Sequence, residues 1–113
     1  MVLSVKASNT DLTDAIRQYI EEKTVAIEKL VGESDSGASL EVEVGKTTNH
    51  HNKGPFMRAE FTLTYLGEVF RAEQECEDLY EAIDTAKDDL RRQVSESKER
   101  SRDEHRQPRP DKE

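Results

Sequence analysis

Apolar and polar residues alternate from the first positions of the chain, with Leu3, Val5 and Ala7 set against Val2, Ser4 and Lys6. A period of two predicts a strand over residues 2–8. Asn9-Thr10-Asp11 reads as a turn. The period then changes. Ile16, Tyr19, Ile20, Ile27, Leu30 and Val31 fall on one face of a helix, which Thr13 or Asp11 can cap and whose first turn holds Asp14. Gly32 to Gly37 ends that helix and forms a loop. Leu40, Val42 and Val44 alternate with Ser39, Glu41 and Glu43 as a half-buried strand. A polar loop from Thr47 to Pro55 follows. Met57, Ala59, Phe61, Leu63 and Tyr65 then make the longest alternating run, Leu66-Gly67-Glu68 a tight hairpin turn, and Val69 to Glu75 a fourth strand with Phe70 and Ala72 inward.

The segment Asp78-Leu79-Tyr80-Glu81-Ala82-Ile83-Asp84 opens a second helix. Asp78 can cap it, and Glu81 three residues later can reach back to complete a capping box. Leu79, Ile83, Ala86, Leu90, Val94 and Ser97 recur at three- and four-residue steps and give it one buried face. The apolar period fades from about Ser95, and Pro108 and Pro110 end any helix. The order is β-α-β-β-β-α. It predicts an α+β domain over residues 1–102, with one four-stranded sheet, two helices on one face and the other face in water. A charged, disordered tail is expected over 103–113.

Composition narrows this picture. A chain of 113 residues with 33 % hydrophobic and 37 % charged content can form one thin core. There is no tryptophan, so Phe61, Phe70, Tyr65 and Tyr80 carry much of the packing. The start of the chain has no cleavage pattern and no apolar run is long enough to span a bilayer. The single cysteine, Cys76, excludes an internal disulfide framework. A cytoplasmic protein is expected.

The net charge is −8, and its distribution says more than its total. Residues 95–113 hold six Lys/Arg and six Asp/Glu, so the whole excess lies in residues 1–94. Residues 73–89 carry eight carboxylates against one lysine, whereas Val44 to Ala59 has no acid and carries Lys46, His50, His51, Lys53 and Arg58. Bulk polyanion binders are normally basic, so any contact with nucleic acid must be made by local patches.

Lys23 lies on the apolar face of the first helix, among Ile16, Ile20, Ile27 and Leu30. Its stem can cover the core edge while the amine reaches water, or its ammonium can be held in a groove beside the second helix, facing an anion. On the second helix Lys87, Arg91, Lys98 and Arg102 fall within about 60° of one another. With the helices side by side, this stripe and Lys23 could line one positive groove, as a phosphate backbone requires. The bland alternative is a solvated face of ordinary charge pairs. His50-His51 lacks a third ligand at a usual spacing, so no metal is expected. Cys76 precedes a helix N-terminus, but Glu75, Glu77 and Asp78 oppose thiol activation and no partner base is near in sequence. Acid pairs such as Glu21-Glu22 and Asp88-Asp89 read as solvated helix positions. Neither a phosphate-binding glycine loop nor a nucleophile elbow is present. An enzyme is not expected, and neither a cofactor nor a small-molecule substrate.

The run Leu12-Thr13-Asp14-Ala15-Ile16-Arg17-Gln18-Tyr19-Ile20-Glu21-Glu22-Lys23 resembles the first helix of the ribosome hibernation factors, the ribosome-associated inhibitor A or sigma-54 modulation family. Asp78-Leu79-Tyr80-Glu81-Ala82-Ile83-Asp84 resembles the opening of that family's second helix, and Leu90-Arg91-Arg92-Gln93-Val94 its continuation. The resemblance covers roughly residues 1–100. It implies a fold similar to double-stranded-RNA-binding domains. It also implies a protein that binds the small ribosomal subunit between head and body, on ground used by messenger and transfer RNA, and so stops translation. Basic residues of the two helices would contact ribosomal RNA. Matching positions carry this role onto Arg17, Lys23, Arg92, Lys98 and Arg100, and the stripe argument adds Lys87 and Arg91. The family pattern has lysine where Asp89 stands and further basic residues where Ser95, Glu96 and Ser97 stand, so this helix is less basic than its relatives. The resemblance implies that long members add a dimerisation domain, which a chain of this length is not expected to hold, and a monomer with no membrane contact is expected. Two other readings use the same fold. One is an acidic protein-interaction adaptor, motivated by residues 73–89. The other is a generic double-stranded-RNA binder.

Overall fold

The computed structural model describes residues 1–32, 37–47 and 57–106, with side chains to residue 100. The chain runs β1 (Val2–Ser8), α1 (Asp14–Val31), β2 (Ser39–Lys46), β3 (Met57–Tyr65), β4 (Glu68–Cys76) and α2 (Leu79–Arg106). This is the β-α-β-β-β-α order read from the sequence. The strands form one sheet in the order β1-β2-β3-β4. β1 is parallel to β2, as the helical crossover between them allows, and the two later pairings are antiparallel.

Register places every apolar alternate on one face. Leu3 is opposite Leu40 and Val5 opposite Val42. Leu40 meets Leu63 and Val42 meets Phe61, while Leu63 and Phe61 meet Phe70 and Ala72. Both helices cover this face. Ile20, Ile27 and Val31 of α1 and Ala82, Ile83, Ala86, Leu90 and Val94 of α2 join the strand residues in one core. The largest wholly buried side chain is Phe61, which shares the interior with Leu40, Leu63, Ile83 and Leu90.

Local chemistry sets the boundaries. Thr13 caps α1, its hydroxyl accepting from the Ile16 N–H at 3.1 Å, and Gly32 ends it at φ 62°. Asp78 caps α2, its carboxylate accepting from the Tyr80 N–H at 3.1 Å. The β3–β4 hairpin turns on Leu66 and Gly67, both at positive φ (52° and 79°), which matches the twist of the flanking strands. Gly45 allows β1 to close on β2, because a Cβ there would stand 2.2 Å from the Ser8 carbonyl oxygen. β4 is one residue longer at each end than the alternation suggested. α2 continues past Ser95 to Arg106. Its charged residues are good helix formers, and no glycine or proline interrupts them before Pro108. The boundary expected at 102/103 thus falls inside α2, and residues 107–113 lie outside the described residues.

Candidate nucleic-acid interface

α1 and α2 lie side by side and point the same way, as their cross-contacts show. Tyr19 meets Tyr80 edge to face, with ring centroids 4.7 Å apart. One turn on, Lys23 faces Asp84. Further on, Arg91 lines a groove of about 480 Å3 with Glu22, Val25, Ala26, Lys29 and Leu30. At the far end the Lys98 ammonium donates to the Leu30 carbonyl. The groove between the helices is therefore the surface on which the cations of the two helices meet.

The structure treats these cations unequally. Lys23 Nζ lies 3.7 Å from Asp84 Oδ1 and 5.1 Å from the centroid of the Tyr19 ring. The ammonium, half-buried at the seam, thus faces the protein's own carboxylate. Asp84 also accepts a 2.8 Å hydrogen bond from the Tyr19 hydroxyl. That bond, with desolvation and the charges of Asp84, Asp78 and Glu22, pushes the Tyr19 phenol up to about 12. Lys98 closes α1 by satisfying one of its last carbonyls, and its ammonium stands 6.0 Å from the Tyr65 ring centroid. Lys87 is only 15 % exposed and pairs with Asp88 at 2.8 Å. Arg92 points outward and is held by Asp89 and by Glu96, its guanidinium raised in pKa by the Asp89 hydrogen bond first.

Arg17, Arg91 and Arg100 are exposed. By helical geometry Arg17 lies about 120° round α1 from Lys23, and Arg100 about 180° round α2 from Arg91. Lys23 and Lys98 thus stand at the seam between the helices and Arg91 lines the groove with Lys29, while Arg17, Arg92 and Arg100 lie on the outer helix surfaces. The side chain of Arg102 is outside the described residues. Lys29 is the groove residue that the sequence argument missed. It stands in the last turn of α1, where a lysine reads simply as a complement to the helix dipole. Its neighbours Val25 and Leu30 and the crossing Arg91 become visible only once α2 is in place.

The opposite, uncovered face of the sheet differs in kind. Arg58 is held between Glu60 and Glu73 and Arg71 pairs with Glu60 at 3.6 Å. The Glu73 hydrogen bond is the first cause that raises Arg58 above its ordinary pKa. Ser8 donates to Glu43 at 3.0 Å. A shallow basin of about 290 Å3 lies here among Ser4, Lys6, Glu41, Glu43, Glu60, Thr62 and Arg71. Its cations are surrounded by carboxylates, which disfavours a polyanion. The acid-free loop with His50, His51 and Lys53 lies outside the described residues. Among the described residues no cluster of His, Cys, Asp and Glu could hold a metal ion, and no helix is long and apolar enough to cross a membrane. Cys76 is half-buried, with its sulfur 3.8 Å from the Thr85 hydroxyl.

A family model described as sigma 54 modulation protein / S30EA ribosomal protein matches residues 3–102. The chain belongs to this family. Among relatives of known name, it is 29 % identical over 111 residues to a ribosome hibernation promotion factor of Deinococcus radiodurans, covering 97 % of this chain and 56 % of that protein. It is 34 % identical over 96 residues to one of Staphylococcus aureus, covering 85 % and 47 %. The chain therefore spans about half the length of the curated relatives it matches. Among solved structures, the N-terminal domain of Thermus thermophilus Protein Y superposes with a TM-score of 0.67 at 32 % identity, covering 86 % of this chain and 99 % of that one. A ribosomal subunit interface protein from Coxiella burnetii shares the fold, with a TM-score of 0.64 at 18 % identity and coverage of 87 % and 98 %.

Proposed function

We propose that this protein is a non-enzymatic ribosome hibernation factor of the cytoplasm, which binds the small ribosomal subunit in the mRNA and tRNA channel and thereby inhibits translation. The observation that carries this reading is the family match over residues 3–102. The groove supports it physically. Lys29 and Arg91 line one groove between the helices, with Lys23 and Lys98 at the seam beside it, and a phosphate backbone is held by several cations acting together with release of its counterions. Arg17, Arg92 and Arg100 would add contacts from the flanks, Lys87 being largely covered, while the body of the domain keeps other RNA out. Neither cofactor nor metal is needed for such a role, and one copy suffices.

Co-sedimentation of the purified protein with small subunits at several salt concentrations tests this. Three phosphate contacts would lower affinity roughly 40-fold over a fourfold rise in salt. Replacing Lys23 or Arg92 with Ala should weaken binding and flatten its salt dependence. Absence from the ribosomal fractions at low salt would sink the reading.

The open sheet face favours a second reading, an acidic adaptor for a basic protein, because Glu41, Glu43, Glu60, Glu73 and Glu75 outnumber Lys6, Arg58 and Arg71 there. A stoichiometric protein partner recovered from nuclease-treated lysate would support it, and recovery only with intact ribosomal RNA would refute it. Equal affinity for arbitrary duplex RNA would instead mark a generic RNA binder.

A further inference from the structure

Asp84 stands between the two helices with its carboxylate divided between them. Oδ2 accepts from the Tyr19 hydroxyl at 2.8 Å, so the group is fixed in place independently of any lysine. Oδ1 is closed off from solvent, has no hydrogen-bond partner, and faces Lys23 Nζ at 3.7 Å. The Asp84 side chain as a whole is 40 % exposed and that of Lys23 35 %. The covered oxygen is thus the one that meets the ammonium, while the lysine side remains open to the groove. An ion pair this exposed is weak and readily exchanged. A phosphate entering the groove meets Lys23 already neutralised, and if the ammonium leaves, a fixed negative charge remains beside the incoming anion.

We infer that Asp84 is an internal counter-anion, which holds Lys23 in the groove and competes with phosphate for it. Asp84 thereby lowers the affinity of the nucleic-acid contact and weakens its salt dependence. This rests on the proposed function for the identity of the anion, but the competition itself is a property of the two helices. It also gives this chain a tunable interface. A carboxylate kept in register by a tyrosine 65 positions away sets how much of the lysine's charge is offered outward.

A double-mutant cycle tests it. Asp84→Asn keeps an acceptor for Tyr19 and removes the charge. Binding to small subunits is measured against salt for the parent, Asp84→Asn, Lys23→Ala and the double variant, with Glu28→Gln as a control that removes an exposed carboxylate elsewhere on α1. Asp84→Asn should bind about 5- to 10-fold more tightly, with the logarithmic salt slope steeper by up to about one, the contribution of one freed cation. That gain should vanish in the Lys23→Ala background, since the effect acts through Lys23. No gain, a gain of equal size in Glu28→Gln, or a gain that survives Lys23→Ala overturns the inference. The same cycle is read as elution salt on a heparin column. If the parent ignores ribosomal subunits, the proposed function fails, and the heparin cycle still decides the case of Asp84.

Discussion

The two surfaces of this molecule carry similar residue types but dispose of them differently. On the bare sheet face, arginines pair with glutamates diagonally across the ladder or two places along their own strand. Arg58 is engaged by both Glu60 and Glu73, and Arg71 by Glu60. The helical surface has internal pairs too, at Lys23, Lys87 and Arg92. Yet it also leaves Lys29 and Arg91 exposed across one groove, beside Glu22, Val25, Ala26 and Leu30. The difference follows from backbone geometry. Strand residues on neighbouring chains stand about 5 Å apart, so charges of opposite sign pair off across the ladder. Helix residues spread round a cylinder, and only a second helix brings chosen ones together. A net charge of −8 therefore does not forbid a polyanion-binding surface. It requires only that some cations, such as Lys29 and Arg91, stand exposed beside one another, although Glu22, Asp84 and Asp89 share the helical side.

The largest expected effect tests the layer that both surfaces share. Phe61→Ala empties the centre of the core, where Phe61 is wholly buried. It should cost about 3–5 kcal/mol in chemical denaturation. Such a loss should disable both faces together, and a variant that kept full stability would show that the helices do not depend on the sheet as described. A smaller effect separates the faces. Arg91→Glu should weaken subunit binding about tenfold, equivalent to about 1.4 kcal/mol, with little change in stability. Arg71→Glu, on the sheet side, should alter binding less than twofold. Equal losses in the same sedimentation assay would erase the distinction between the surfaces.

The last effect, confined to high pH, concerns the seam between the helices. The Tyr19 phenol, held by Asp84, ionises at about 12 rather than its ordinary 10.0. Between those values the folded protein keeps a proton that the unfolded chain has shed, so stability falls as pH rises. The contribution is fully present below pH 10 and is gone above about 12. Tyr19→Phe should remove that part of the slope when denaturation is followed from pH 9 to 12. An unchanged slope would mean that the Tyr19–Asp84 bond does not form in solution.

Much of this was legible in the order of residues. The alternation of Leu40, Val42 and Val44 and the three- and four-residue steps from Leu79 to Val94 match the buried positions. Thr13, Asp78 and Gly67 mark a cap, a cap and a turn as their chemistry requires. The basic stripe of α2 was legible as a direction, and Arg91 and Lys98 do turn toward α1. What that stripe meets was not. Lys98 is spent on the Leu30 carbonyl, Lys87 is largely covered, and Lys29 supplies a cation that no spacing rule selected.

The order of residues carried the elements, their succession and the buried face of each, because these depend on periodicity and on capping over a few residues, while the family rested on the resemblance of the two helix motifs. The tertiary structure decided which cations remain available. That depends on partners far apart in the chain, such as Tyr19 with Asp84 or Leu30 with Lys98, and on which side of the sheet each helix shields. Helical spacing fixes the angle at which a side chain leaves its axis. Only packing fixes the charge that it meets there.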